Sequence, residues 1–167
     1  DGEVAAYVER VGQRLAAGFT SQKIRIWDTR NWESVTLPTG VYGRVAFSAD
    51  SKTLTVNNFR AGIDSWDLAT REKVTFDDPD NYSCDLVRFS PSGDQFVSAN
   101  WSGTVALWDV QSRKVIWSTP AHRSRILGLA FSHDGKRFAS GGHDQLIHIW
   151  DAVTHENVMT LQGHLNE

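Results

Sequence analysis

The stretch AHRSRILGLAFSHDGKRFASGGHDQLIHIWD, running from Ala121 to Asp151, decides the fold. An apolar run ends at Phe131, Ser132 follows, and Asp134-Gly135 makes a turn. A second short run, RFASG, leads through Gly141-Gly142 and a polar turn into LIHIWD, which closes on Trp150-Asp151. Runs of about four to six residues, rich in Val, Ile, Phe and Trp and broken by Gly, Asp and Ser turns, are antiparallel strands.

Outward from this stretch the same pattern recurs. Trp-Asp pairs stand at Trp27-Asp28, Trp66-Asp67, Trp108-Asp109 and Trp150-Asp151, with spacings of 39, 42 and 42 residues. Nineteen residues before each Trp lie Val8, Phe47, Phe89 and Phe131, and Ser48, Ser90 and Ser132 follow the last three. After each Trp-Asp comes a polar turn and a fourth short run: Val35 to Leu37, Val74 to Phe76, Val115 to Trp117, Val158 to Leu161. Four strands per repeat of about 42 residues is the signature of a β-propeller blade. The reading is therefore all-β, a β-propeller segment of four four-stranded antiparallel blades spanning about 1–38, 39–80, 81–121 and 122–163.

These repeats resemble the WD-repeat β-propeller family, with Ala121-His122 where that family has Gly-His. Gly163-His164 looks like the opening dipeptide of a further repeat. The resemblance implies a hydrogen-bonded tetrad, which maps in the fourth repeat onto His122, Ser140, Asp144 and Trp150. Trp and His bring buried N–H donors, and Asp and Ser supply acceptors within the blade. The third repeat keeps Ser98 and Trp108 but has Asp80 and Ser102 at the His and Asp positions. The second has Val56, Arg60 and Trp66, with Pro38 near the His position. The first keeps Trp27, with Ala17 and Ser21 at two other sites. The fourth blade is expected to be the best ordered and the second the loosest or most specialised.

Composition bounds the function. The chain has 167 residues, 17 Lys+Arg against 20 Asp+Glu, and a formal charge of -3, so it lacks the uniform basic field of nucleic-acid or anionic-membrane binders. No apolar run approaches a membrane span and no signal-peptide pattern opens the chain. The single cysteine, Cys84, excludes an internal disulfide framework and reads as a small buried hydrophobe. Ser140, His122 and Asp144 are the inventory of a hydrolase triad, yet the Ser lies on an inner strand without a Gly-x-Ser-x-Gly elbow, so no catalytic residue is assigned. All six histidines (His122, His133, His143, His148, His155, His164) fall near the C-terminal end, but their repeat positions scatter them over both faces of the blade, so no metal site is assigned. Gly141-Gly142 opens no helix and makes no phosphate loop. The acidic run Asp77 to Asp80 reads as a solvated turn. No cofactor is expected.

Function is expected in the loops of one face. The position before the tetrad Asp holds Thr20, Phe59, Trp101 and His143, in the turn between the second and third strands. With Arg60 beside Phe59, and Arg123 and Arg125 after His122, the candidate partner-binding set is Phe59, Arg60, Trp101, Arg123, Arg125 and His143. The resemblance implies that such a ring of positions holds peptides and protein partners. The expected function is thus a non-catalytic scaffold binding a protein or peptide, with no nucleic acid or membrane, in the cytoplasm. The alternative is the regulatory or substrate-recruiting propeller segment of a larger signalling enzyme, a kinase or nucleotide-switch ATPase. Four blades also raise the question of closure. Three outcomes stand open: an excised half of a larger ring, two copies joined into an eight-bladed ring, or a small closed ring.

Overall fold

The computed structural model of the chain describes residues 5–19, 23–37, 44–58, 62–76 and 84–162. Every described element is a strand, and the strands form four separate antiparallel sheets, each in chain order. The first blade is β1 (Ala5–Val11), β2 (Arg14–Phe19), β3 (Ile24–Asp28) and β4 (Ser34–Leu37). The second is β5 (Val45–Phe47), β6 (Thr53–Asn58), β7 (Gly62–Asp67) and β8 (Lys73–Phe76). The third is β9 (Cys84–Phe89), β10 (Gln95–Asn100), β11 (Thr104–Asp109) and β12 (Lys114–Pro120). The fourth is β13 (Ile126–Phe131), β14 (Arg137–Gly142), β15 (Leu146–Asp151) and β16 (Asn157–Gln162). The fourth strand of the third repeat is longer than the run Val115 to Trp117 suggested, because it pairs with β11 as far as Thr104↔Pro120.

The repeated polar residues build the hairpins. Ser48 Oγ donates to Asp50 Oδ1 at 2.7 Å and accepts from the Thr53 N–H at 2.9 Å, clasping β5 to β6. Ser90 does the same with Asp94 and Gln95, and Ser132 with Asp134 and Arg137. The Asp of each Trp-Asp pair caps the following turn. Asp67 Oδ1 accepts from the Ala69 and Thr70 amides, and Asp151 Oδ1 from those of Val153 and Thr154. These amide donors, Thr70 and Thr154 foremost, hold both carboxylates below the usual range. Each such turn ends on a non-glycine residue with positive φ, namely Trp32, Arg71, Arg113 and His155, whose N–H bonds the carbonyl of the Asp four residues earlier.

The core lies between the blades. Trp66 packs against Ala16, Ile24, Ile26 and Leu37 of the first blade. Trp108 packs with Ala46, Ile63 and Phe76 of the second, the Phe76 ring standing edge-on 5.1 Å from Phe96. Trp150 and Phe138 pack with Leu86, Val97, Val105 and Leu107 of the third, and Trp117 covers the outer edge of that layer 5.3 Å from Trp150. A consistent polarity follows: the marker Trp of the second, third and fourth blades faces the preceding blade. The first strands pack in the order β1, β5, β9, β13 and converge on a cavity of about 490 Å³ lined by Val11, Phe47, Phe89, Leu129 and Phe131, among others.

Irregular pairing in β9 and β13 shapes the rim. Ala99 pairs with Leu86 but Asn100 pairs with Cys84, so Asp85 is the extra residue of a β-bulge. Its repeat equivalent Leu127 is the extra residue between Ile126 and Gly128 in the fourth blade. A bulge releases its residue from the in-and-out alternation of the strand and re-aims the side chain.

Candidate functional site

The fourth blade carries a continuous buried chain of polar side chains. Trp150 Nε1 donates to Ser140 Oγ at 3.0 Å, Ser140 Oγ lies 2.8 Å from His122 Nε2, and His122 Nδ1 lies 2.9 Å from Asp144 Oδ1. An ionised carboxylate only accepts, so Nδ1 carries the imidazole proton and the serine hydroxyl donates to Nε2. Burial raises the Asp144 pKa, but hydrogen bonds from His122 and from the Arg123 and Leu146 amides outweigh it and hold the carboxyl below its ordinary value. Gly142 makes room: a Cβ there would stand 2.7 Å from His122 Nδ1 and 2.8 Å from Asp144 Oδ1. Although Ser, His and Asp are linked in the order of a hydrolase triad, Ser140 is fully buried and its oxygen already accepts the indole N–H. That oxygen has neither access nor a free approach for a carbonyl substrate.

His148 lies on the same face of the sheet, its ring 4.7 Å from that of His122, with Nδ1 at 2.9 Å from Thr160 Oγ1. Burial, and then the neighbouring His122, push its pKa below the ordinary value. Among the described residues no group of three or more His, Cys, Asp or Glu is placed to hold a metal ion.

The chain of bonds thins toward the N-terminus. In the third blade Trp108 Nε1 donates to Ser98 Oγ at 2.8 Å, while Asn100 Oδ1 accepts from Ser102 Oγ and the Thr104 amide and closes the turn in place of an Asp. In the second blade Val56 offers no acceptor, and the buried Trp66 Nε1 has no hydrogen-bond partner among the described residues. Asn57, next to Val56 in β6, is also fully buried with neither amide atom bonded among the described residues. Pro38, Arg60, Asp80 and Ser21 lie outside the described residues.

The rim beside the tetrad brings several of the expected partner-binding residues together. Trp101, in the β10–β11 turn, is 57% exposed. The Arg125 guanidinium lies over its ring, 3.8 Å from the centroid. Behind it, Arg125 Nη2 and Nε reach Asp85 Oδ2 at 2.5 and 3.1 Å, and Arg44 Nε stands 4.0 Å from Asp85 Oδ1. Asp85 is 2% exposed, so one buried carboxylate serves two arginines from the second and fourth blades. Arg125 is therefore committed within the molecule, as the support on which Trp101 stacks. Arg123 and His143 are exposed, and the His143 N–H donates to the Arg125 carbonyl at 2.9 Å. The turn is anchored at Gly103, where a Cβ would fall 2.1 Å from the His122 carbonyl oxygen. Phe59 and Arg60 lie outside the described residues. Asp85 escaped the sequence reading, although an acid inside the apolar run CDLVRF was the available signal.

Four-stranded sheets stacked radially, with each interface sealed by a tryptophan, define a β-propeller scaffold. Residues 74–109 and 113–151 match the family model described as "WD domain, G-beta repeat". The chain thus carries WD repeats within a β-propeller fold. Each match begins at the last strand of one blade and runs through three strands of the next, so sequence repeat and blade are out of phase by one strand. Among solved structures, a chain of "Crystal Structure of Mitotic Checkpoint Complex" superposes with a TM-score of 0.85 at 21% identity, covering 98% of this chain and 52% of that one. This chain spans about half the length of that neighbour, and at such identity the likeness shows the fold alone. No curated protein matches the sequence. Propellers of this family are in general protein-interaction scaffolds and in general non-catalytic.

Proposed function

We propose that the chain is a non-enzymatic interaction module that grips a peptide segment of a protein partner on the rim around Trp101. The observation that carries this reading is a large, exposed indole that is nevertheless braced from behind, by Arg125 stacked on its face and Asp85 holding Arg125. Trp and Arg dominate binding hot spots, and a ring fixed before the partner arrives loses little entropy on binding. Charge points the same way: Arg123 is exposed two residues from Arg125, whose guanidinium stands over the indole. A peptide with an acidic residue next to an apolar one fits this rim, the apolar group on the indole and the carboxylate toward the arginines. Phe59 and Arg60 belong to the same proposed rim on the sequence reading.

Selection of peptides from a random displayed library on the purified chain tests the reading. Enriched peptides should be acidic, should compete with one another, and should lose at least tenfold in affinity with Trp101→Ala while keeping it with Trp32→Ala. Trp32 is 65% exposed but lies in the β3–β4 turn, at the opposite end of the strands. Peptides that bind equally to the Trp101→Ala chain, with its circular dichroism unchanged, would sink the proposal.

A further inference from the structure

Two of the interfaces between blades take an aromatic ring from the outer strand of the preceding blade. Trp117 of β12 packs 5.3 Å from Trp150 and stacks on His155, centroids 5.6 Å apart and planes 21° from parallel. Phe76 of β8 stands edge-on to Trp108 at 6.2 Å. Between the first and second blades the outer strand is β4, whose sequence SVTL offers no ring. Register places Val35 opposite Ile26, as Trp117 lies opposite Leu107, and Leu37 opposite Ile24, as Phe76 lies opposite Ile63. A cleft of about 140 Å³ opens there, walled by Ile26, Val35 and Leu37 of the first blade and Leu68 of the second. Val35, 39% exposed, leaves it accessible from solvent.

The mouth of the cleft suits a ring better than an ion. Arg71 ends the β7–β8 turn at the repeat position of His155, each with positive φ and with its N–H on the carbonyl of the Asp four residues earlier. Where Trp117 stacks on His155, Arg71 borders the cleft. Of the other charges at the mouth, Asp28 is held by Arg30, whose Nε donates to Oδ1 at 2.9 Å, while Arg14 and Glu33 are one of each sign. Arg71 is the surplus charge, and a planar guanidinium is attracted to an aromatic face. The volume matches one phenyl group, since a cavity of about 150 Å³ takes a single benzene. It falls below the roughly 300 Å³ of ordinary small-molecule pockets. Its buried walls, Ile26 and Leu37, are apolar and offer nothing to orient a free metabolite.

We propose that this cleft receives one aromatic side chain, Phe or Tyr, projecting from a protein partner. The ring takes the place that Trp117 fills in the last interface, against Val35, Leu37 and Leu68, with Arg71 on its face as His155 lies on Trp117. The β3–β4 and β7–β8 turns lie at the opposite end of the strands from Trp101, so this contact is separate from the Trp101 rim. A single ring seated in a fitted pocket is the kind of anchor that dominates a protein interface.

Titration of the nitrogen-15-labelled chain with the pentapeptide Gly-Gly-Phe-Gly-Gly, followed in correlation spectra, tests this. The Leu37, Leu68 and Arg71 amides should shift together and saturate, and the leucine counterpart of the peptide should bind several-fold more weakly. Arg71→Ala should weaken the Phe peptide roughly threefold with circular dichroism unchanged. Val35→Trp supplies the ring from within the chain, so it should abolish the shifts at Leu68 and Arg71 and hold or raise the unfolding temperature. Equal binding of the Phe and Leu peptides overturns the inference, as do shifts that survive Val35→Trp or that are confined to the Trp101 rim. Free phenol binding as tightly as the peptide overturns the assignment to a protein partner. If Val35→Trp unfolds the chain, the leucine peptide and Arg71→Ala still decide the matter.

Discussion

At the scale of single residues, one serine or its absence decides how a marker tryptophan is held. Ser140 and Ser98 each accept an indole N–H, whereas Val56 at the same repeat position leaves the Trp66 N–H buried and unbonded among the described residues. A buried donor without a partner costs about 1–3 kcal/mol. Val56→Thr keeps the branched shape and supplies a hydroxyl, so it should raise the urea midpoint or leave it unchanged. Its net effect should lie between about zero and 1 kcal/mol. Ser140→Ala strips the partner from both Trp150 and His122 and should cost roughly 2–3 kcal/mol. Urea unfolding of the two variants checks both signs; a destabilised Val56→Thr would mean that the lost apolar contact outweighs the hydrogen bond. The Val56 substitution was visible in the sequence because the repeat ruler fixes which residue faces the Trp. Asp85 was not, because a β-bulge takes it out of the alternation from which strand faces are read.

At the scale of the element, the fourth blade concentrates the titrating groups. His148 titrates below its ordinary value near 6.5 because it is buried beside His122. The unfolded chain then takes up the proton first as the pH falls, so folding stability is unaffected well above 6.5 and declines below it. Asp144 is held below 3.8, so its contribution is present above that pH and is lost as the pH drops through its lower folded value. Both groups act in the same sense, toward acid instability. The unfolding temperature should therefore hold level between pH 8 and 7 and fall below pH 6.5. His148→Gln should flatten the slope between about 6.5 and 5 while leaving acid unfolding near pH 3 in place. A slope that survives in His148→Gln would place its origin elsewhere. The strands themselves were legible from their apolar runs and turn residues. The length of β12 was not, since Ser118 to Pro120 carry no strand signal and are paired only because β11 lies beside them.

At the scale of the molecule, four sheets that each have two apolar faces cannot share one central core. They stack, and the polarity of stacking follows from which face carries the Trp. The sequence ruler made the number of blades and the marker residues legible, but it held no information on how side chains from three blades meet at the rim. Trp101 and Arg125 were both marked out as rim residues. Their stacking, and the anchoring of Arg125 on Asp85 with Arg44 behind it, arises only when the second, third and fourth blades are brought together. This braced indole is the basis for the proposed peptide-binding face. The most direct test is the indole N–H region of a nitrogen-15 correlation spectrum, where each of the seven tryptophans gives its own signal. On titration with a selected acidic peptide, the Trp101 indole and the Gly103 and His143 amides should shift together and saturate, while Trp32 and the buried Trp108 stay in place. Saturating shifts at Trp32 with Trp101 unmoved would contradict the account.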